Sequence, residues 1–295
     1  MVKDGYKQTE LGLIPNDWDI KTLGDVLHIR HGKSQHEVIQ DDGKYPILGT
    51  GGEIGKTNTP LYDKPSVLIG RKGTIDKPRY MDTPFWTVDT LFYSEVRSTV
   101  DAKFLFYKFN LIDWYSYNEA SGVPSLNART IENIIQSLPS KKEEQKTIAS
   151  VLSDTDEFIN SLEKLISKKE AIKIATMQQL LTPKENWKEK NLGDICSRIT
   201  TGKLDANAMK IDGEFRFYTC AKDFYFIDNY AFDAEALLVS GNGANVGYIH
   251  YYKGRFNAYQ RTYVLIGFSE NIQFIKLFME VNLANRIRTE VNSGN

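Results

Sequence analysis

The longest regular pattern in the chain lies between Ser140 and Thr182, a stretch with no glycine and no proline, bounded by Pro139 and Pro183. Proline fixes φ and lacks a backbone N–H, so it suits the margins of a helix rather than its middle. Inside the stretch Val151, Phe158, Leu165 and Ile172 recur at heptad spacing, and Leu152, Ile159 and Ile166 make a second such row beside the first. A heptad is two helical turns, so both rows share one face. Lys, Glu, Asp and Gln fill the remaining surface. The pattern predicts a single helix over 140–182, roughly 60 Å long at about 1.5 Å per residue. That exceeds what one compact domain needs. The double row is wide enough to pack on another helix, and the stretch reads as a rigid spacer between two domains.

On either side the periodicity shortens. Tyr45–Leu48 and Ser66–Ile69 are brief apolar runs closed by glycine turns at 49–55 and 70–73, and 86–93 (WTVDTLFY) is rich in β-formers. Residues 101–113 (DAKFLFYKFNLID) read as a helix with an aromatic face, with Phe104, Tyr107 and Trp114 as core. A turn-rich loop follows at 120–126, then a short helix or strand at 131–138. After the long helix this order starts again. Trp18 returns as Trp187, Leu23-Gly24-Asp25 as Leu192-Gly193-Asp194, Gly32-Lys33 as Gly202-Lys203, Val67-Leu68-Ile69 as Leu237-Leu238-Val239, Phe104-Leu105 as Phe274-Ile275, and Ser121-Gly122 as Ser293-Gly294. The offset drifts only from 169 to 172. Matches that keep order and register predict a duplicated domain. The division expected is a first domain over 1–139, the helix over 140–182, and a second domain over 183–295. The loops differ between the copies, as two binding modules with different targets require.

Composition fits two globular domains: 41% hydrophobic and 25% charged residues in 295. Net charge is −1, so no overall basic excess announces a nucleic-acid partner, although a basic face balanced by acids elsewhere is compatible with one. The N-terminal segment is polar, and no apolar run approaches a membrane span. Cys196 and Cys220 are the only cysteines and form no C-x-x-C pair; reduced thiols in a cytoplasmic protein are the expectation.

Catalytic motifs are scarce. The glycines at 49–55 imitate a nucleotide loop, but Thr57-Asn58-Thr59-Pro60 interrupts the helix such a loop requires. His31 and His36 lack the partners a metal needs, Asp19-Ile20-Lys21 lacks a companion acid, and no nucleophile elbow is present. Binding chemistry is better represented. In the first copy the loops carry Lys33, Gln35, Lys56, Asn58, Arg71 and Lys72, with Tyr117 as an aromatic that could meet a backbone. In the second they carry Lys203, Asn242, Asn245, Gln260 and Arg261. Arg and Lys suit phosphates and guanine edges, and Asn and Gln suit adenine edges.

The Trp18…Leu23-Gly24-Asp25 entry, the closing 121–127 segment (SGVPSLN) and the helix start Glu143-Glu144-Gln145-x-x-Ile148-Ala149-x-x-Leu152, followed by a second copy of the frame, resemble the specificity subunit of type I restriction–modification systems. The resemblance covers essentially the whole chain. It implies an α+β protein: two similar α/β target recognition domains, each reading one half of a split site in double-stranded DNA, joined by a long helix that forms a coiled-coil-type spacer. It implies antiparallel helix pairing through Val151, Leu152, Phe158, Ile159, Leu165, Ile166 and Ile172. It implies modification subunits that methylate adenine and a restriction subunit that moves and cleaves DNA. S-adenosylmethionine, ATP and Mg belong to those partners, and this chain would itself hold no cofactor, metal or catalytic residue. A second spacer helix is expected after the second Ser-Gly pair, where the sequence stops at Asn295; self-association through the first helix is then an alternative source of a mate. A nuclease fused to its own reader, and a protein–protein scaffold, are the competing readings.

Overall fold

The computed structural model describes residues 4–293. It divides into two compact units, Met1–Leu162 and Glu163–Asn295, with the boundary inside the long helix.

In the first unit, strands β1 (Tyr6–Thr9), β2 (Gly12–Pro15), β3 (Trp18–Thr22), β4 (Leu27–Arg30), β5 (Tyr45–Gly49), β6 (Gly52–Thr57), β7 (Ser66–Gly70), β8 (Arg79–Met81), β9 (Trp86–Thr87) and β10 (Leu91–Val96) precede helix α1 (Ala102–Phe109), helix α2 (Ala128–Glu132), strand β11 (Ile135–Pro139) and helix α3 (Lys142–Leu181). Four strands form a sheet in the order β4-β10-β7-β8, and β6-β5-β9 form another. The glycine-rich 49–55 stretch is the β5–β6 hairpin, with Gly49 opposite Gly52. The 101–113 segment is helical only to Phe109, and a single 3₁₀ turn follows at Trp114–Tyr117. Alternating residues of β7 serve two cores. Val67 and Ile69 pack with Phe104, Trp114 and Ile131 on one face, and Leu68 packs with Phe85 and Tyr93 on the other.

The second unit contains the end of α3, helix α4 (Leu192–Ile195), strands β12 (Cys196–Thr201), β13 (Phe215–Tyr218), β14 (Tyr225–Ile227), β15 (Phe232–Ser240), β16 (Ile249–Ala258) and β17 (Thr262–Phe268), and helix α5 (Ile272–Ser293). Its sheet runs β12-β17-β15-β16-β13-β14. This is the first unit's arrangement with β16 in the place shared by β8 and β9. The one parallel pairing in each sheet, β5 with β9 and β13 with β16, sits at corresponding positions. In the first unit the chain breaks between β8 and β9 at Pro84, a residue without the N–H a central ladder needs. Leu237 and Val239 face α5 through Ile275 and Met279, while Ala236 and Leu238 face Tyr218 and Phe256.

Two details show the repeat at the level of single residues. Leu23-Gly24-Asp25 and Leu192-Gly193-Asp194 both open with a capping box, Thr22 with Asp25 and Asn191 with Asp194. Gly32 and Gly202 both lie against the backbone of the following turn: a Cβ would overlap the carbonyl oxygen of Val88 in one unit and of Ala258 in the other. Only a residue without a side chain permits that approach.

One expected match fails. Ser293 ends α5, where a turn-rich loop is expected by analogy with Ser121, and Gly294 lies outside the described residues. The α1 counterpart α5 continues for 22 residues against 8. Both cysteines are free, Cys196 buried and Cys220 partly exposed. Among the described residues no helix is long and apolar enough to cross a membrane, and no cluster of three His, Cys, Asp or Glu side chains is arranged to hold a metal. Asp19 is instead paired with Lys21 at 3.3 Å.

Candidate nucleic-acid interface

The strand directions gather loops at one end of each sheet. In the first unit β4, β7, β5 and β9 finish at a common edge. Arg30 lies opposite Tyr93, Gly70 opposite Leu91, and Leu48 beside Thr87. The loops leaving these strands are tied together through backbone groups. Lys33 N–H donates to Thr87 O at 2.8 Å, Arg71 N–H to Thr90 O at 2.8 Å and Gly73 N–H to Pro124 O at 2.9 Å. Arg79 reaches across to the hairpin, its guanidinium donating to Gly49 O at 3.2 Å and Thr50 O at 2.7 Å. Lys33, Arg71 and Lys72 thus stand at one edge, and Gln35 follows in the same loop as Lys33.

Lys56 and Asn58 do not join them. They lie toward the far end of β6, where Lys56 is opposite Pro46. The Asn58 amide is occupied locally, donating to Gln40 Oε1 at 2.6 Å and accepting from Lys44 N–H at 3.2 Å. Tyr117 packs its ring against the main core of the unit.

The second unit repeats the edge with all five of its expected residues. Gly241 N–H donates to Arg261 O at 2.9 Å, Gln260 N–H to Leu204 O at 2.9 Å and Tyr259 N–H to Tyr218 O at 2.9 Å. The loops bearing Lys203, Asn242, Asn245, Gln260 and Arg261 are therefore one connected platform. Two of the amides are already engaged: Asn245 Nδ2 donates to Cys220 O at 3.0 Å, and Gln260 Nε2 to Asp205 Oδ1 at 2.6 Å. His250 steadies the same loop, Nε2 donating to Ala221 O at 2.9 Å. Burial holds its imidazole below the ordinary histidine range, against the bond to Ala221 O, which acts the other way. Asn242, Lys203 and Arg261 are left to face solvent or a ligand with their polar ends.

A residue beside this edge escapes sequence reasoning. Arg216 stacks between Phe224 and Tyr252, 4.1 and 4.7 Å from the ring centroids, with Nη1 3.4 Å from the Tyr218 hydroxyl. The contact depends on the parallel pairing of β13 with β16, for which single-sequence periodicity carries no signal. Tyr218 is buried, and the partly exposed Phe224, Arg216 and Tyr252 above it form a surface of the kind that meets bases or a sugar–phosphate chain.

The helix start is the other constructed feature. Trp18 Nε1 donates to Glu144 Oε1 at 3.0 Å. Gln145, only 2% exposed, donates from Nε2 to Pro139 O at 2.8 Å and accepts Asp101 N–H on Oε1 at 2.9 Å. Further along, Lys103 Nζ donates to Ser153 Oγ at 2.6 Å and the Tyr107 hydroxyl to Asp156 Oδ2 at 2.7 Å. The Glu-Glu-Gln motif thus fixes α3 to the first unit. Beyond it Val151, Leu152, Phe158, Ile159, Leu165, Ile166 and Ile172 are all exposed, Phe158 by 64%. A continuous apolar stripe of this length on one helix marks an interaction face.

Comparison with known proteins agrees with this architecture. The family model described as type I restriction modification DNA specificity domain matches residues 15–173 and again 184–295. The type I restriction enzyme EcoDI specificity subunit of Escherichia coli is 42% identical over 98 residues, which is 33% of this chain and 21% of that protein. The MjaVIII specificity subunit of Methanocaldococcus jannaschii is 26% identical over 211 residues, 65% of this chain and 49% of that protein. The chain therefore spans half the length or less of these curated relatives. Among solved structures, the crystal structure of the type I restriction–modification S subunit from M. genitalium superposes with a TM-score of 0.67 at 19% identity, covering 94% of this chain and 79% of that one. With the specificity-domain model matched twice across a duplicated sheet and a long intervening helix, the chain belongs to the family of type I restriction–modification DNA specificity domains.

Proposed function

We propose that this chain is the DNA-reading subunit of a type I restriction–modification complex. It recognises a bipartite duplex target, one half with each unit, and directs adenine methylation and cleavage that partner subunits perform. The observation that supports this most is the pairing of an identical strand order with divergent loops at the equivalent end of each sheet. A common frame fixes where the loops stand, and the loop side chains set what each unit prefers. Lys33, Arg71, Lys72, Lys203 and Arg261 supply phosphate and guanine contacts, while Asn242 supplies an amide for an adenine edge. S-adenosylmethionine, ATP and Mg then belong to the methyltransferase and motor subunits, and this chain is non-catalytic.

The exposed stripe of α3 serves partners. A modification subunit, a restriction subunit or the α3 of a second copy gains about 25 cal/mol for each Å² of that apolar surface it covers. Self-association is the second reading, favoured by the heptad spacing of the stripe.

The test is binding of the chain, assembled with the methyltransferase subunit of its own system, to a library of duplexes. The proposal expects a two-part sequence preference and a steep loss of affinity as salt rises. Binding with no preference at any salt, or methylation by this chain alone with cofactor added, contradicts it.

A further inference from the structure

The recognition edge of the first unit contains a polar cavity of about 250 Å³. Its floor is the buried ring of Phe92, against which His31 sits edge-on at 4.9 Å. Its walls carry Arg71, Lys72, Glu119 and Ser125. The lining side chains come from two separate strand ends, His31 after β4 and the cationic Arg-Lys pair after β7.

Three features set this pocket apart from a loop with basic residues. First, the backbone under the cations is held on both sides. Arg71 and Lys72 N–H both donate to Thr90 O, Leu126 N–H donates to Arg71 O at 2.9 Å, and Lys72 is bridged to Ser125. Ordering these residues on binding therefore costs little. Second, the one carboxylate in the wall, Glu119, is held by the Thr130 hydroxyl, which donates to its Oε1 at 2.5 Å, and its single charge is outnumbered by those of Arg71 and Lys72, whose ammonium has no partner among the described residues. Third, Arg71 is drawn onto the turn between β9 and β10, Nη1 donating to Asp89 O at 3.3 Å. Base edges lie at the floor of a groove and are read by side chains that project into it. A phosphodiester stands out from the duplex as a ridge, and a concave pocket with the exposed Lys72 ammonium at its rim is shaped to receive it.

We infer that this pocket seats a single phosphodiester of the DNA backbone and sets the register of the first unit on its half-site, with Lys72 supplying the main charge and Arg71 part of its fork. The inference rests on the DNA-reading role proposed above. It assigns Lys72 a positioning task rather than a base-reading one.

The experiment uses the full chain with its methyltransferase partner and a cognate duplex in which each phosphate of the first half-site is replaced in turn by a neutral methylphosphonate. Lys72→Gln should lower the slope of log affinity against log salt by about 1, so that the loss between 50 and 200 mM salt is about fourfold smaller. The weakening should be the same for every base pair of the half-site. At one position the methylphosphonate should weaken the wild-type complex and leave the Lys72→Gln complex unchanged, and Lys72→Arg should restore the slope. A relaxed preference at one base pair with an unaltered slope would mean that Lys72 reads a base, and would overturn the inference. So would an additive loss at every methylphosphonate position. If the wild-type complex shows no sequence preference, the DNA-reading role itself fails and the inference falls with it; if only the variant is silent, the role stands and the pocket is not a phosphate seat.

Discussion

Replacing Gln145 tests whether the long helix is fastened to the first unit by the bonds described. Methionine is similar in length and unbranched, so Gln145→Met keeps the packing and removes both bonds. Asp101 N–H then loses its acceptor in a site that is largely closed to water. An orphaned backbone donor costs about 1–3 kcal/mol, and the bond to Pro139 O contributes about 0.5–1.5 kcal/mol more. The expected loss is about 2–4 kcal/mol, a large fraction of the roughly 5–15 kcal/mol that stabilises an ordinary domain. Asp101 also caps α1 by accepting Phe104 N–H at 2.8 Å, and that bond survives the change. The destabilisation should therefore centre on the junction of α1, β11 and the first turn of α3. Hydrogen exchange reads this directly. At about 1.4 kcal/mol per factor of ten, the Asp101 amide should exchange roughly 30- to 700-fold faster, while amides in β15 and β17 of the second unit keep their rates. Unchanged exchange at Asp101, or equal acceleration in both units, would refute the account of Gln145 as a local fastening.

Gly202→Ala should destabilise the second unit by about 3 kcal/mol or more, because the new methyl group would overlap the backbone carbonyls of both Ala258 and Tyr259; the urea midpoint of that unit's transition checks it. The Tyr107 hydroxyl is pushed up to about 12 by burial and by its bond to Asp156. Its folded value lies above the unfolded one of about 10, so its contribution is present below pH 10 and is lost as pH rises toward 12. Burial also raises Tyr62, Tyr80, Tyr93 and Tyr218, so the readout is the difference between proteins: Asp156→Asn should move one tyrosine of the late absorbance change to lower pH. Phe158→Glu with Ile166→Glu should abolish any concentration-dependent self-association of the chain in sedimentation without altering its secondary structure. If the double change leaves an oligomer intact, the stripe is not its interface.

The parts of the fold legible in the sequence were those with local signatures. Pro139 and Pro183 bracket a helix found at Lys142–Leu181, and the doubled Leu-Gly-Asp turn carries its own capping box. The edge that gathers Arg71 with Lys33, and Arg261 with Asn242, follows from strands whose loops happen to be named by turn residues. What escaped depends on long-range pairing. Lys56 and Asn58 look like neighbours of the glycine hairpin along the chain, but β6 is six residues long and carries them to its opposite end. Arg216 has no motif around it; its aromatic clamp exists only because β13 lies beside β16. The cavity over Phe92 needs Ser125 to return to Lys72, a contact between segments more than fifty residues apart that neither segment announces. The role of Gln145 was visible only as part of a motif, since its two partners, Asp101 and Pro139, lie on different elements.

The central claim is that two homologous units read the two halves of one DNA target independently. Sequencing the methylated adenines in cells that carry this chain and its methyltransferase partner measures the target directly, and repeating it after exchanging residues 1–138 for another first unit tests the independence. The account predicts a bipartite motif in which the exchange rewrites one half and leaves the other untouched. A motif that changes in both halves, or methylation without a bipartite motif, would contradict it.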